Sequence, residues 1–307
     1  MTHAMDYFKF QISNVKSRKP ARGFTLVEVL VVIAIIGMLV AMLVPAINAA
    51  RRQAKRTLVK ADMTQLMLAL EDFRTKVGGG QYPPDGTNSQ DTQRFLKAAF
   101  PRTPWGNGVA YPTNITPDTA LVFWLGGAQD STGAFVGFSA NPLNPFDNSG
   151  SRIPVSFEFD RSTSTTRFVQ KGTLQGPTLP PTGTATSVTW NLFQYFPLNG
   201  NALTSNMPYL YFKAVAASYT QTAFSINVTN GLTGTTLPYK DSTSPNGNAF
   251  VNPTKFQLLC PGLDGKYGNY TGTTYPLYPS GTNYDATNGL DDMTNFTTGA
   301  TVGDDTN

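Results

Sequence analysis

Arg22–Ile47 reads RGFTLVEVLVVIAIIGMLVAMLVPAI, and the 24 residues from Phe24 to Ile47 hold a single charge, Glu28. A helix needs roughly 20 consecutive apolar residues to cross a hydrocarbon core, so this run predicts a membrane-spanning or fibre-core helix. A carboxylate inside such a segment costs about 2.5–3.5 kcal/mol near the centre and less toward an end, which disfavours an unpaired one. Glu28 therefore calls for a cationic partner. A cut between Gly23 and Phe24 would create one, a free α-amino group four residues before Glu28 and on the same helical face. An ordinary secretory signal does not account for the run, which exceeds the roughly 7–15 residues of a signal-peptide apolar region and ends in no small-x-small cleavage site.

Gly23, Phe24, Thr25, Leu26, Glu28 and the apolar stretch behind them resemble the type IV prepilin signal of type IV pilins and type II secretion pseudopilins. The resemblance implies that prepilin peptidase cuts after Gly23 and methylates Phe24. It implies that Glu28 of one subunit pairs with the Phe24 amine of a neighbouring pilin-like subunit in a filament, added at an inner-membrane assembly platform. Gly37 and Pro45 fall where this family carries helix-loosening residues. Glycine lacks helix-stabilising stiffness, and proline removes a backbone bond.

The leader, residues 1–23, holds Lys9, Lys16, Arg18, Lys19 and Arg22 against Asp6, which accounts for the whole net charge of +4. The remaining 284 residues carry 18 basic and 18 acidic side chains. The basic isoelectric point thus belongs to a segment expected to be removed, and nucleic acid is not an expected partner. A second cluster, Arg51, Arg52, Lys55 and Arg56, follows the apolar run, so positive residues flank both sides and charge alone leaves the orientation open. The resemblance implies a single pass of the inner membrane, with the leader cytoplasmic and the C-terminal domain periplasmic, then a place in a periplasmic or surface filament. The cluster suits phospholipid headgroups, acids of neighbouring subunits, or a solvated face.

Beyond Ile47 the helix is expected to continue. No Gly or Pro interrupts residues 48–76, and Leu66, Leu70, Phe73 and Val77 recur at spacings of 4, 3 and 4, which makes one apolar face. Phe24–Lys76 would be about 80 Å of helix, apolar all round in its first half and amphipathic in its second. Gly78, Gly79 and Gly80 should end it, ahead of the Pro83-Pro84-Asp85-Gly86 turn.

From Gln81 the composition turns to Thr, Ser, Asn, Gly, Pro and aromatics, with short β-like runs. A helix is expected at Asp91–Phe100, and Leu121–Leu125 should pack onto the long helix. Strands are expected at Val155–Asp160, Arg167–Lys171, Ser187–Phe196, Tyr209–Val215 and Lys255–Leu259. Gly172–Thr186 and Val228–Asn248 read as insertions too poor in apolar residues for a core of their own. The fold class is α+β: a long N-terminal helix, residues 24–77 with the transmembrane part at 24–47, packed on an antiparallel β-sheet with long loop insertions in one domain, residues 78–307.

Cys260 is the only cysteine, so the C-terminal disulfide common in type IV pilins cannot form; the thiol is expected to be a small buried hydrophobe. An alternative fastener is calcium, which takes six to eight oxygens from flexible loops. Asp264, Asp291 and Asp292 are the first candidate ligands, with Asp285, Asn269 and Asn295 nearby in sequence. The Asp-Gly-Lys-x-Gly loop at Asp264 and the later Asp291-Asp292 pair resemble the C-terminal calcium loop of type II secretion major pseudopilins, with a longer intervening segment here.

Enzymatic readings fare poorly. The only histidine is His3, in the leader, which removes His-based triads and metal sites from the processed chain. Neither a P-loop nor G-x-G-x-x-G is present, and Glu158 with Asp160 reads as solvent-facing charge on a strand. A structural, non-enzymatic subunit is expected, of a secretion pseudopilus or alternatively of a type IV pilus serving adhesion, motility or DNA uptake.

Overall fold

The computed structural model describes residues 23–107, 109–130, 133–147, 150–159, 167–174, 190–198, 206–219, 222–228, 231–245, 249–270, 272 and 274–306. The described residues divide between two compact units, one ending at Ala50 and one beginning at Arg51.

Helix α1 runs Leu26–Lys76, 51 residues with Pro45 inside it, two residues shorter at its start than the spacing predicts. In its second half Val59, Met63, Leu66, Ala69, Leu70 and Phe73 are buried, so the apolar stripe read from the sequence is the packed face. The helix ends where expected. Gly78 N–H donates to the Phe73 carbonyl at 2.8 Å, one residue beyond the helical partner, and a Cβ at Gly78 would lie 2.2 Å from the Gln81 carbonyl oxygen. Only glycine fits that return of the chain.

Helix α2 is Ser89–Ala99, its start capped by the Asn88 side chain, which accepts from the Gln90 and Asp91 N–H groups. Helix α3, Ala120–Gly126, is buried along its whole length. It carries the apolar run expected against the long helix, and Trp124 meets the Phe73 ring at 6.1 Å. Phe95, Phe123, Phe138, Phe146 and Trp190 complete an aromatic core around this point. The Pro83–Pro84 turn is tied to it: Trp124 Nε1 donates to the Pro84 carbonyl and the Tyr211 hydroxyl to that of Pro83, each at 2.7 Å.

The strands are β1 Ala128–Gln129, β2 Phe135–Gly137, β3 Phe168–Leu174, β4 Trp190–Tyr195, β5 Leu210–Lys213, β6 Phe224–Asn227, β7 Thr233–Thr236, β8 Lys240–Asp241, β9 Phe256–Cys260, β10 Leu277–Tyr278 and β11 Met293–Thr294. They do not make the single sheet expected. Among the described residues β5, β9 and β11 form one three-stranded antiparallel sheet, β1–β2, β3–β4 and β6–β7 are antiparallel pairs, and β8–β10 is a parallel pair. The α+β class holds.

Four of the five expected strands appear within a few residues of their predicted bounds, and one does not. Val155–Phe159 is irregular, and Asp160 lies outside the described residues. Its alternating rings are used as core instead of ladder: Phe159 packs on Phe135, Phe168 and Tyr195 with centroids 5.2–5.6 Å apart, and Ser156 N–H bonds the Leu125 carbonyl at the end of α3. The insertion at Val228–Asn248 holds β7 and β8, where no strand was expected; the part of the other insertion beyond Leu174 lies outside the described residues.

Candidate processing and assembly site

Gly23, Phe24 and Thr25 precede the first turn of α1. Glu28, in that turn, reaches back: Thr25 donates to Glu28 Oε2 from its N–H at 2.8 Å and from its hydroxyl at 2.9 Å, while Glu28 N–H donates to Thr25 Oγ1 at 3.2 Å. This is the reciprocal capping box that Thr-x-x-Glu encodes, and the same two residues carry the prepilin-like pattern. The T-L-V-E spacing was visible in the sequence, yet the cost of a charge in an apolar run points outward to a partner chain and hides this partner on the helix itself. Both contacts fall on Oε2, leaving Oε1 for a second partner. Phe24 is 84 % exposed, and nothing lies within 4 Å of where a Cβ on Gly23 would stand, so this chain imposes no packing demand of its own at the expected cut. The side chains of 26–47 are likewise uncovered; α1 is long and apolar enough to cross a membrane.

The C-terminal candidates are distributed differently from the expectation. Asp291 Oδ2 accepts the Leu263 and Asp264 N–H groups at 2.8 and 3.1 Å, so these two acids share one turn. Asp264 Oδ1 accepts from Lys266 N–H at 2.8 Å. Although Asp264 reaches solvent, the packed loop around its carboxyl and the neighbouring Asp291 push it up to about 6. Asp292 is turned inward: its Oδ2 accepts from the Tyr239 hydroxyl at 3.2 Å and Gly268 N–H at 3.3 Å, its Oδ1 has no partner, and burial raises its pKa well above the usual carboxylate range. Asp285 accepts from Asn269 and Thr287 N–H groups, and Asn295 bonds both Leu258 N–H and the Phe256 carbonyl along β9. No group of three or more His, Cys, Asp or Glu placed to hold a metal ion occurs among the described residues.

Cys260 is fully buried in β9, and burial pushes its thiol up. The fastening of the C-terminus that a disulfide would supply comes in part from a residue not singled out in the sequence, Asp305. Its two oxygens accept from Thr298 N–H and hydroxyl, Gly299 N–H and the Tyr278 hydroxyl at 2.7–2.8 Å. Lys60 of α1 then donates to the Thr297 carbonyl and hydroxyl, both at 3.0 Å.

The prokaryotic N-terminal methylation motif matches residues 18–44, the segment that contains Gly23, Phe24 and Glu28. Type II secretion system core protein G of Pseudomonas aeruginosa is 30 % identical over 120 residues, covering 35 % of this chain and 82 % of that protein. The chain belongs to the type II secretion system core protein G family. The Klebsiella pneumoniae member is 31 % identical over 103 residues, or 28 % of this chain and 70 % of that protein. The type IV wide pilus major component PilA4 of Thermus thermophilus is 56 % identical over 41 residues, 31 % of its length. No solved structure matches. Both core protein G matches take up more than two thirds of a shorter relative and leave most of this family member outside the alignment.

Proposed function

We propose that this chain is a structural subunit of a type II secretion pseudopilus, cut between Gly23 and Phe24 by prepilin peptidase and assembled through α1 with other pilin-like subunits. The observation that carries the reading is the start of α1, where an uncovered apolar surface over residues 26–47 adjoins a carboxylate with one oxygen still free. Before processing the apolar surface stands in the inner membrane, with the leader cytoplasmic and residues 51–307 periplasmic; the assembly platform transfers it to the core of a filament. In that core the free α-amino group of Phe24 on a neighbour neutralises Glu28, so the charge that is costly in lipid becomes the one that sets subunit stagger. The subunit works by assembly and catalyses no reaction.

Replacing Glu28 with Leu tests this. Cleavage should persist, giving an N-terminal Phe24 by mass spectrometry, while incorporation into filaments falls at least tenfold; filament yield equal to wild type would remove the pairing role. The length shared with core protein G relatives favours secretion over the pilus alternative, whose match is confined to 41 residues.

Calcium at the C-terminal loops belongs to the same proposal. The donor chemistry fits at Asp264 and Asp291, which share one turn, where burial and the Asp291 charge raise Asp264, and does not fit at Asp292, which is buried with its Oδ2 held by Tyr239 and Gly268. Bound there, the ion would neutralise that repulsion and cross-link the two loops.

A further inference from the structure

We propose that Arg51, Arg52, Lys55 and Arg56 form a binding face for the anionic headgroups of phospholipids, occupied while the apolar segment of α1 stands in the bilayer. The inference rests on the membrane-inserted stage of the function proposed above and adds to it a ligand class and the residues that take it.

Charge is the first support. No acid occurs between Glu28 and Asp62, and Arg51, Arg52, Lys55, Arg56 and Lys60 fall within ten residues of that interval. Five of the acids that follow are committed to other cations: Asp62 pairs with Arg167, Glu71 with Arg74, Asp72 with Lys76, Asp91 with Lys213 and Asp118 with Lys171. Among the described residues none of the four cations of the face makes an ion pair. Arg51, Arg52 and Lys55 are exposed, and Arg56, half-buried, has an Nε with no hydrogen-bond partner. A guanidinium with one donor withdrawn from water and no acceptor for it has room for an anion.

Direction is the second. Residues 51, 55, 59 and 62 step by 4, 4 and 3, and residues 52, 56, 59, 63 and 66 by 4, 3, 4 and 3, so the four cations continue the buried stripe of Val59, Asp62, Met63 and Leu66 toward the N-terminus. They are not scattered around the helix as solubilising charge would be; they occupy one side.

Depth is the third. Three residues separate Ile47 from Arg51, so the four cations begin roughly 6 Å beyond the apolar run and end roughly 14 Å beyond it at 1.5 Å per residue. The headgroup layer occupies about the first 5–8 Å on each side of the hydrocarbon core, and long Arg and Lys side chains lean back to reach it. Such a cluster on the flank expected to be translocated runs against the usual bias of basic residues toward the cytoplasm. Retaining headgroups there gives that charge a use: it fixes how deeply α1 sits before assembly. Arginine, which supplies three of the four positions, binds phosphate with two parallel N–H donors.

The test uses the full chain, purified in detergent micelles containing equal amounts of phosphatidylglycerol and phosphatidylcholine, with retained lipids counted by native mass spectrometry. The wild type should retain phosphatidylglycerol in preference by roughly tenfold. The combined variant Arg51→Gln, Arg52→Gln, Lys55→Gln and Arg56→Gln should lose the preference, while Arg94→Gln with Lys97→Gln, which removes two exposed cations from α2, should keep it. Equal retention of both lipids by the wild type overturns the proposal, as does a preference that survives in the combined variant or falls as far in the α2 variant. An acid of a second copy as the true partner gives the first of these results. Co-expressed prepilin peptidase should still release Phe24 from the combined variant, so loss of lipid preference is read apart from failure of the processing reading.

Discussion

Removing the Asp62 carboxylate should undo the docking of α1 more than its single position suggests. Asp62 lies on the packed stripe, and its side chain is 5 % exposed; its partner Arg167, just before β3, is 15 % exposed. Arg167 cannot swing out to water cheaply, because its Nε donates to the Phe196 carbonyl at 2.8 Å and its guanidinium stacks 4.1 Å from the centre of the Tyr195 ring. Asp62 also accepts from the Tyr209 hydroxyl at 2.8 Å and the Tyr195 hydroxyl at 3.4 Å. Burial and the nearby Asp62 charge hold the Tyr209 pKa well above its usual value. Both tyrosines remain neutral donors, so they cannot replace the lost negative charge.

Asp62→Ala strands a buried cation, for which about 3–5 kcal/mol is expected. In a domain of this size that lowers the melting temperature by roughly 6–20 °C. Arg167→Met leaves the carboxylate with two hydroxyl donors and should cost toward the low end of the same range. The double variant Asp62→Ala with Arg167→Met removes both charges, so its cost should fall short of the summed singles by at least about 2 kcal/mol. Urea unfolding of a soluble fragment of residues 51–307 supplies all three values. Single-variant costs that add to within about 0.5 kcal/mol would refute the coupling, and with it the view that this pair locks α1 to β3 and β4.

Gly23→Ala should accumulate uncleaved precursor in cells carrying the peptidase; because a Cβ there meets nothing in this chain, the defect would report the enzyme's need for close backbone approach, and a normal Phe24 terminus would sink the processing claim. Millimolar calcium should raise the melting temperature of the 51–307 fragment by several degrees, and Asp264→Asn should abolish the shift; no change in the unsubstituted fragment removes the ion from the proposal. Cys260, enclosed in β9 with its thiol pushed up, should resist a maleimide in the native fragment and react fully in urea, and rapid native labelling would contradict its place in the core.

What the sequence disclosed and what it hid divide along the range of the forces involved. The span of α1, its buried stripe and its glycine stop are recorded in residues three and four apart, and so is the Thr25–Glu28 box once Glu28 is considered as a cap. The strand at β9 is legible because Phe256–Cys260 is buried on every residue and only Gln257 interrupts its apolar run. Val155–Phe159 alternates as well as any strand, but its rings find the core from an irregular backbone. The pairing of Phe224–Asn227 with Thr233–Thr236 is faintly announced, because one strand offers only Phe224 and Ile226 in alternation and the other holds no apolar residue. Asp62 is the sharpest case: an acid on an amphipathic helix reads as surface until Arg167, 105 residues later, arrives beside it. The same logic separates the two basic features of α1. Lys60 is half-buried and spent on Thr297, whereas Arg51, Arg52 and Lys55, roughly one and a half to two and a half turns earlier on the same side, are exposed and make no ion pair among the described residues. A stripe that buries apolar residues against protein at Val59–Phe73 and presents exposed cations on the same side before them has the ordering that the proposed headgroup contact requires.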